Sequence, residues 1–183
     1  KCVLNFLKYY DRKKFAVKVV VPRGSLLKPE IEKLKTDVIE ADGITDKSLD
    51  RKAVKNLKKI IKRLNPDIVH THGTMSGRIA AKLCGKKIIY TRHSVFPVSD
   101  RISHGIGQKA NKIINEFFSD RIIAVAEAAK QNLIDSGISA DRIDVILNGV
   151  EPLTPVSEEK KNEIVEKEGF PQCEGIREVL EKL

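Results

Sequence analysis

The sequence contains no tryptophan, one methionine and three cysteines, and only 5% of its residues are aromatic. Without aromatic side chains interleaved among basic ones, it lacks the base-stacking platform of single-strand nucleic-acid binders. Cys2, Cys84 and Cys173 are odd in number and far apart. They lack the paired spacing of a zinc ribbon or redox motif, so reduced thiols in a cytoplasm are expected, with no chemistry of their own. No apolar run approaches the roughly 20 residues that cross a bilayer, and KCVLNFLKYYDRKK at the start lacks a small-residue cleavage pattern. Export is therefore unsupported. There is no Walker loop, no Gly-x-Ser-x-Gly elbow, and no strand before the GIG at 105–107 to make it a dinucleotide fingerprint.

What is present is an ordinary globular balance: 41% hydrophobic and 32% charged residues in 183, enough for one full-sized core. The 34 Lys and Arg against 25 Asp and Glu leave a net charge of +9, which favours anionic partners: nucleic acid, anionic lipid or phosphorylated substrates. The excess is concentrated in RKAVKNLKKIIKRL, residues 51–64, with seven bases and no acid. Its Ala53, Val54, Leu57, Ile60, Ile61 and Leu64 recur at helical spacing, which leaves Lys55, Lys59 and Lys62 on the opposite side of an amphipathic helix.

The chain otherwise reads as alternating elements. A helix over 1–14 is followed by a strand in FAVKVVVPRGS, a helix in PEIEKLK and a short strand DVIEA. After the basic helix, Pro66 forces a break, and DIVH follows as a strand. Then come the helix SGRIAAKLCG, the strand KKIIYT, a long loop over 93–107, the helix QKANKIINEFF, the strand DRIIAVA, the helix EAAKQNLIDSG and the strand RIDVILN. Short apolar strands alternating with helices predict a doubly wound α/β domain around a mainly parallel sheet. A Pro-punctuated, charged segment follows Pro152.

In such sheets, ligands collect beyond the carboxyl ends of the strands. The residues there are Arg23-Gly24-Ser25, His72-Gly73-Thr74, Arg92-His93-Ser94, Glu127 and Asn148-Gly149, a rim suited to a polyol or phosphorylated ligand. Three of the four histidines fall near it. His70, within the apolar strand, is expected to pack; His72 lies at the strand end; His93, before an irregular loop, is the best functional candidate. His104 reads as a loop residue. His-x-His puts two side chains on one strand face, but only His93 offers itself as a third ligand, so no metal is expected.

The ordered series NPDIVHTHG, KKIIYTRHSVF, DRIIAVAEAAKQNLIDSGI and DRIDVILNGVEP resembles the N-terminal half of family-4 glycosyltransferases of the GT-B fold. Ala126 stands where a serine is common, and the family's opening strand and Gly-Gly loop have no counterpart before the first helix. The resemblance implies a Rossmann-like acceptor-binding domain over 1–155 that lacks its first strand, and a linker and helical tail over 156–183, with EGIREVLEKL as the helix that returns from a second domain. It also implies a retaining transfer from a nucleotide-diphospho sugar, with no cofactor held by this domain, to a lipid-carrier or saccharide acceptor in the cytoplasm. Cell-envelope polysaccharide synthesis at the inner membrane face fits that picture.

The same resemblance makes His93 the catalytic contact and gives acceptor binding to His72, Gly73, Thr74, Arg92, Ser94, Glu127, Asn148 and Gly149. The diphosphate-neutralising groups belong to the second domain, so this chain alone is expected to be inactive. Lys55, Lys59 and Lys62 would face an anionic membrane. Two rival readings stay open: a non-enzymatic basic module binding nucleic acid, although no recognised motif for that is present, and a phosphosugar isomerase or epimerase using the same rim.

Overall fold

The computed structural model describes residues 2–44, 49–149, 156–157 and 159–163. Contacts divide the chain into two units, Lys1–Gly149 and Val150–Leu183. The first contains α1 (Cys2–Tyr9), β1 (Lys18–Pro22), α2 (Leu27–Lys33), β2 (Asp37–Ala41), α3 (Arg51–Leu64), β3 (Ile68–Thr71) and α4 (Met75–Lys82). Beyond these lie β4 (Lys87–Arg92), α5 (Asp100–Ser103), α6 (Gly105–Phe117), β5 (Arg121–Ala124), α7 (Glu127–Asp135) and β6 (Ile143–Val145). In the second unit, the segment read as a returning helix lies outside the described residues.

Local chemistry sets the best-defined element. The Asp50 carboxylate accepts hydrogen bonds from the backbone N–H groups of Lys52 and Ala53 and so caps α3, satisfying donors that have no partner within the helix. At the other end, Asn65 adopts a left-handed conformation (φ 46°) and its N–H donates to the Ile61 carbonyl, so the helix stops just before Pro66. The apolar stripe of α3 packs Ile61 against Ala80, Ala81 and Ile88, with Val54, Leu57 and Val69 alongside. Lys55, Lys59 and Lys62 are exposed on its other side.

All strand pairs are parallel, but they form two sheets: β1 with β2, and β3-β4-β5-β6 in sequence order. Among the described residues, β1, β2, β3 and β6 therefore each keep one unpaired edge. Each sheet has its own core. Leu7, Val21 and Ile31 fill the first, beneath α1 and α2. Tyr90, Ile122, Ala124, Leu133 and Ile143 fill the far side of the second, beneath α7.

Several sequence expectations need correction. The first helix stops at Tyr9, because Asp11 takes up a turn in which its carbonyl accepts from the N–H groups of Lys14 and Phe15. The segment read as a loop over 93–107 contains α5 and the start of α6. Gly105, at φ +63° with open space around its missing Cβ, makes the sharp entry into α6, which accounts structurally for the GIG stretch. β3 is less buried than its apolar sequence suggests: Ile68 is 51% exposed, and His70 is exposed too, since an edge strand lacks one neighbour to cover it. His70 is thus not a packed core residue. No helix among the described residues is long and apolar enough to cross a membrane.

Candidate functional site

Parallel pairing of β3 with β4 aligns His70 with Ile89 and Thr71 with Tyr90, so the two chains leave the sheet side by side as His72-Gly73-Thr74 and His93-Ser94. The period of two along a strand puts His70 and His72 on one face. Their rings lie 4.3 Å apart between centroids, and the His93 ring stacks on His72 at 5.2 Å. His70 Nε2 and the buried Thr91 Oγ1 share a hydrogen bond of 2.7 Å, and His72 Nδ1 and His93 Nε2 share another of 2.9 Å.

All three residues are partly open to solvent, yet the surrounding protein withdraws enough water to favour the neutral form. Burial lowers the pKa of His70 and of His93; burial, and then the charges of His70 and His93, push His72 down to about 4. At neutral pH, one N–H···N bond joins His72 to His93, and its direction assigns the remaining nitrogens. If His72 donates, His93 Nδ1 carries the proton and is a hydrogen-bond donor; if His93 donates, its Nδ1 is an acceptor. Either way the pair presents one oriented polar atom at the rim.

Two cavities meet at these rings. The first, about 310 Å³, is lined by Cys2, Val3, Leu4, Leu27, Ile31, His72, His93 and Asn148. The second, about 380 Å³, is lined by His72, Gly73, Thr74, Arg78, Tyr90, Thr91, Arg92, His93, Ser94 and Phe96. Six of the rim residues expected from sequence thus share one cavity. Asn148 lies in the other. The Gly149 carbonyl accepts a 2.9 Å hydrogen bond from Asn5 Nδ2, and Glu127, exposed at the start of α7, lines neither cavity.

The 93–96 segment is held open by a small network. Arg92 Nε donates to the Ser94 carbonyl at 2.8 Å, its guanidinium lies 4.7 Å above the Phe96 ring, and Nη2 reaches Asn132 Oδ1 at 3.4 Å. Asn132 Nδ2 in turn donates to the Phe96 carbonyl at 2.7 Å. Deeper in, Arg78 is buried, stacked 4.3 Å from the Tyr90 ring centroid, with Nη1 donating to Asn115 Oδ1 and Ser119 Oγ.

Sequence reasoning passed over Arg78, Phe96, Asn132 and Cys2. Arg78 sits in a helix where arginine is ordinarily a surface residue; the small residues Gly77, Ala80 and Ala81 around it were the one sign that α4 is covered closely. Cys2 reaches the rim only because α1 begins there. Its Sγ and one ring nitrogen each of His72 and His93 lie within 4.8 Å of one another, a spacing that ligands of one cation could share.

Comparison with known proteins bears on this geometry. The crystal structure of Anabaena HepE in complex with UDP and glucose superposes with a TM-score of 0.66 at 18% identity, over 92% of this chain and 46% of that one. A glycosyltransferase from Rickettsia africae gives 0.59 at 25% identity, over 85% and 49%. A Listeria monocytogenes protein described as a UDP-N-acetylglucosamine 2-epimerase gives 0.51 at 18%, over 78% and 39%, a likeness of fold alone. The chain thus spans about half the length of the first two structures. No match to an individual curated protein sequence was found. The family described as Glycosyltransferase Family 4 matches residues 1–152, and a match over that much of the chain means that the protein belongs to this family.

Proposed function

We propose that this chain is the acceptor-binding part of a retaining glycosyltransferase that takes a sugar from a nucleotide-diphospho donor. The single observation that carries this is the cavity at the ends of β3 and β4, where His72, Gly73, Thr74, Arg92, His93 and Ser94 converge. The similarity to HepE, whose crystal structure holds UDP and glucose, supports the choice of donor.

In this reading the chemistry comes from positioning. Transfer needs an acceptor hydroxyl oriented beside the anomeric carbon, water kept away, and charge on the leaving diphosphate neutralised. The neutral His93, held by His72, is the catalytic residue: it directs one hydrogen bond at the transferred sugar or the acceptor hydroxyl. Thr74, Ser94 and Arg92 bind the acceptor, Glu127 lies at the cleft margin, and Asn148-Gly149 form the hinge. Cys2, His72 and His93 act here without a metal, so added chelator should leave turnover unchanged.

The domain reading belongs to the proposal. β1 and β3 each have an unpaired edge, and a family-type strand between them would join the two sheets into one doubly wound sheet. Residues 1–155 are then the acceptor domain, 156–183 the linker and tail, and the diphosphate groups lie in a partner domain. Lys55, Lys59 and Lys62, exposed on α3, face anionic lipid on the cytoplasmic side when the acceptor is lipid-linked. Vesicle sedimentation tests this: binding should rise with anionic lipid and fall when these lysines are replaced by Gln.

The deciding experiment is a donor screen on the intact gene product, following UDP release from UDP-glucose and related sugars. Release that depends on an added saccharide or lipid acceptor supports transfer. Interconversion of a sugar without acceptor, or retention of RNA with no turnover, would favour the epimerase or nucleic-acid reading instead.

A further inference from the structure

The second cavity contains two guanidinium groups that no carboxylate balances. Arg78 is 5% exposed, and its hydrogen-bond acceptors, Asn115 Oδ1 at 3.0 Å and Ser119 Oγ at 3.3 Å, are neutral. Its Nε is buried with no partner. Arg92 likewise donates only to the Ser94 carbonyl and Asn132 Oδ1. Among the described residues neither forms an ion pair. Burial lowers the Arg78 pKa from the ordinary arginine value, and the Arg92 charge acts in the same direction, while a guanidinium nonetheless stays protonated.

A buried cation without a counter-charge is costly, and a second one beside it adds to the cost. If Arg78 served only to tie α4 to α6, a neutral amide could donate to Asn115 and Ser119 without that cost. The same cavity is lined by Gly73 and Thr74 at the N-terminus of α4, where Thr74 makes no side-chain cap and the helix dipole favours an anion. Gly73 has nothing within 4 Å of the position a Cβ would take, so the backbone there is open to a ligand. At about 380 Å³ the space falls within the roughly 300–1,000 Å³ usual for small-molecule sites, larger than one oxyanion needs.

We propose that this cavity binds a phosphate group carried by the acceptor, with Arg78 and Arg92 supplying the charge and the start of α4 supplying backbone donors. The inference deepens the acceptor-binding reading and rests on it. It narrows the acceptor class to phosphorylated molecules, whether soluble sugar phosphates or phosphate-bearing lipids. Flat guanidinium groups suit this role because each can offer paired donors to phosphate oxygens.

Calorimetry and thermal melts with four probes test it: inorganic phosphate, glucose 6-phosphate, glucose, and vesicles containing phosphatidic acid. Saturable binding and a raised melting temperature are expected with phosphate and glucose 6-phosphate, and not with glucose; vesicle binding that glucose 6-phosphate abolishes would assign the lipid source as well. Arg92→Gln should weaken phosphate binding at least about tenfold without unfolding the protein, since Arg92 is held by few hydrogen bonds. Arg78→Lys should weaken it comparably, and Arg121→Gln, on β5 and paired with Asp144, should not. Absence of saturable binding by every phosphate probe, or binding indifferent to both Arg78→Lys and Arg92→Gln, overturns the inference. Acceptor-dependent turnover without phosphate binding would sink this inference and leave glycosyl transfer standing; phosphate binding without turnover would do the opposite.

Discussion

The strand ends of the two sheets make a useful contrast. Beyond β1 and β2, described charges meet their opposites: Arg23 pairs with Asp42, Lys28 with Glu40, and the Gly24 N–H donates to Glu40 Oε1. The hydrogen bond from Arg23 holds Asp42 below the usual carboxylate range, and that from Lys28 does the same for Glu40. Beyond β3 and β4, three neutral histidines lie ring against ring, and two arginines rest on neutral acceptors. Among the described residues, the first rim pairs its named charges and the second leaves two arginines without a carboxylate. Both were equally polar in sequence, so polarity at a strand end is a poor guide to function; unbalanced charge and unused donors are a better one.

The sharpest way to break the contrast is at His93. In the intact enzyme His93→Ala should lower turnover about 10²- to 10³-fold, as loss of one transition-state hydrogen bond does, with the melting temperature nearly unchanged. Steady-state kinetics beside a thermal melt would check it, and full activity would remove His93 from the chemistry.

Acid should act next, on stability. A histidine whose native pKa is depressed contributes its full stabilising effect above the unfolded value of 6.5 and loses it as pH falls, because the unfolded chain binds a proton that the native site refuses. For His72 the window runs from 6.5 down to about 4. Its ring is partly open to water, which reduces the full linkage value, leaving a loss of roughly 1–2 kcal/mol. Urea titrations at several pH values should show the loss, and replacing His72 with Gln should flatten it.

His70→Ala is expected to cost about 1 kcal/mol, since the ring is only partly covered and the main loss is the bond to the buried Thr91 hydroxyl. A loss of several kcal/mol would mean that the ring packs after all. At the balanced rim, Arg23→Gln should leave both activity and stability without measurable change, because that pair is largely exposed. A clear drop in turnover there would erase the distinction between the rims.

Much of this architecture was legible because it is encoded locally. The apolar stripe and Pro66 delimit α3 as read from sequence, and DVIEA coincides with β2. Histidine and glycine at the ends of β3 and β4 likewise marked the rim. What was hidden depends on distant parts of the chain. The exposure of His70 follows from β3 having a single neighbour, which no local pattern records. The burial of Arg78 follows from Asn115 and Ser119, on and just beyond α6, closing over it. Cys2 joins the site through the position of α1, and a lone cysteine in an amphipathic segment carries no sign of that.

The hydrogen bond from Asn5 to the Gly149 carbonyl ties together residues 144 positions apart. Asn5 directly follows Cys2, Val3 and Leu4 on α1, which line the cavity beside His72 and His93. The bond therefore fastens the last residue of this unit to the helix that forms one wall of that cavity. Were Gly149 displaced with the bond intact, Asn5 and the residues beside it would be displaced too, and any such coupling is reciprocal in free energy. One exposed bond of about 1 kcal/mol limits any such coupling to a small effect.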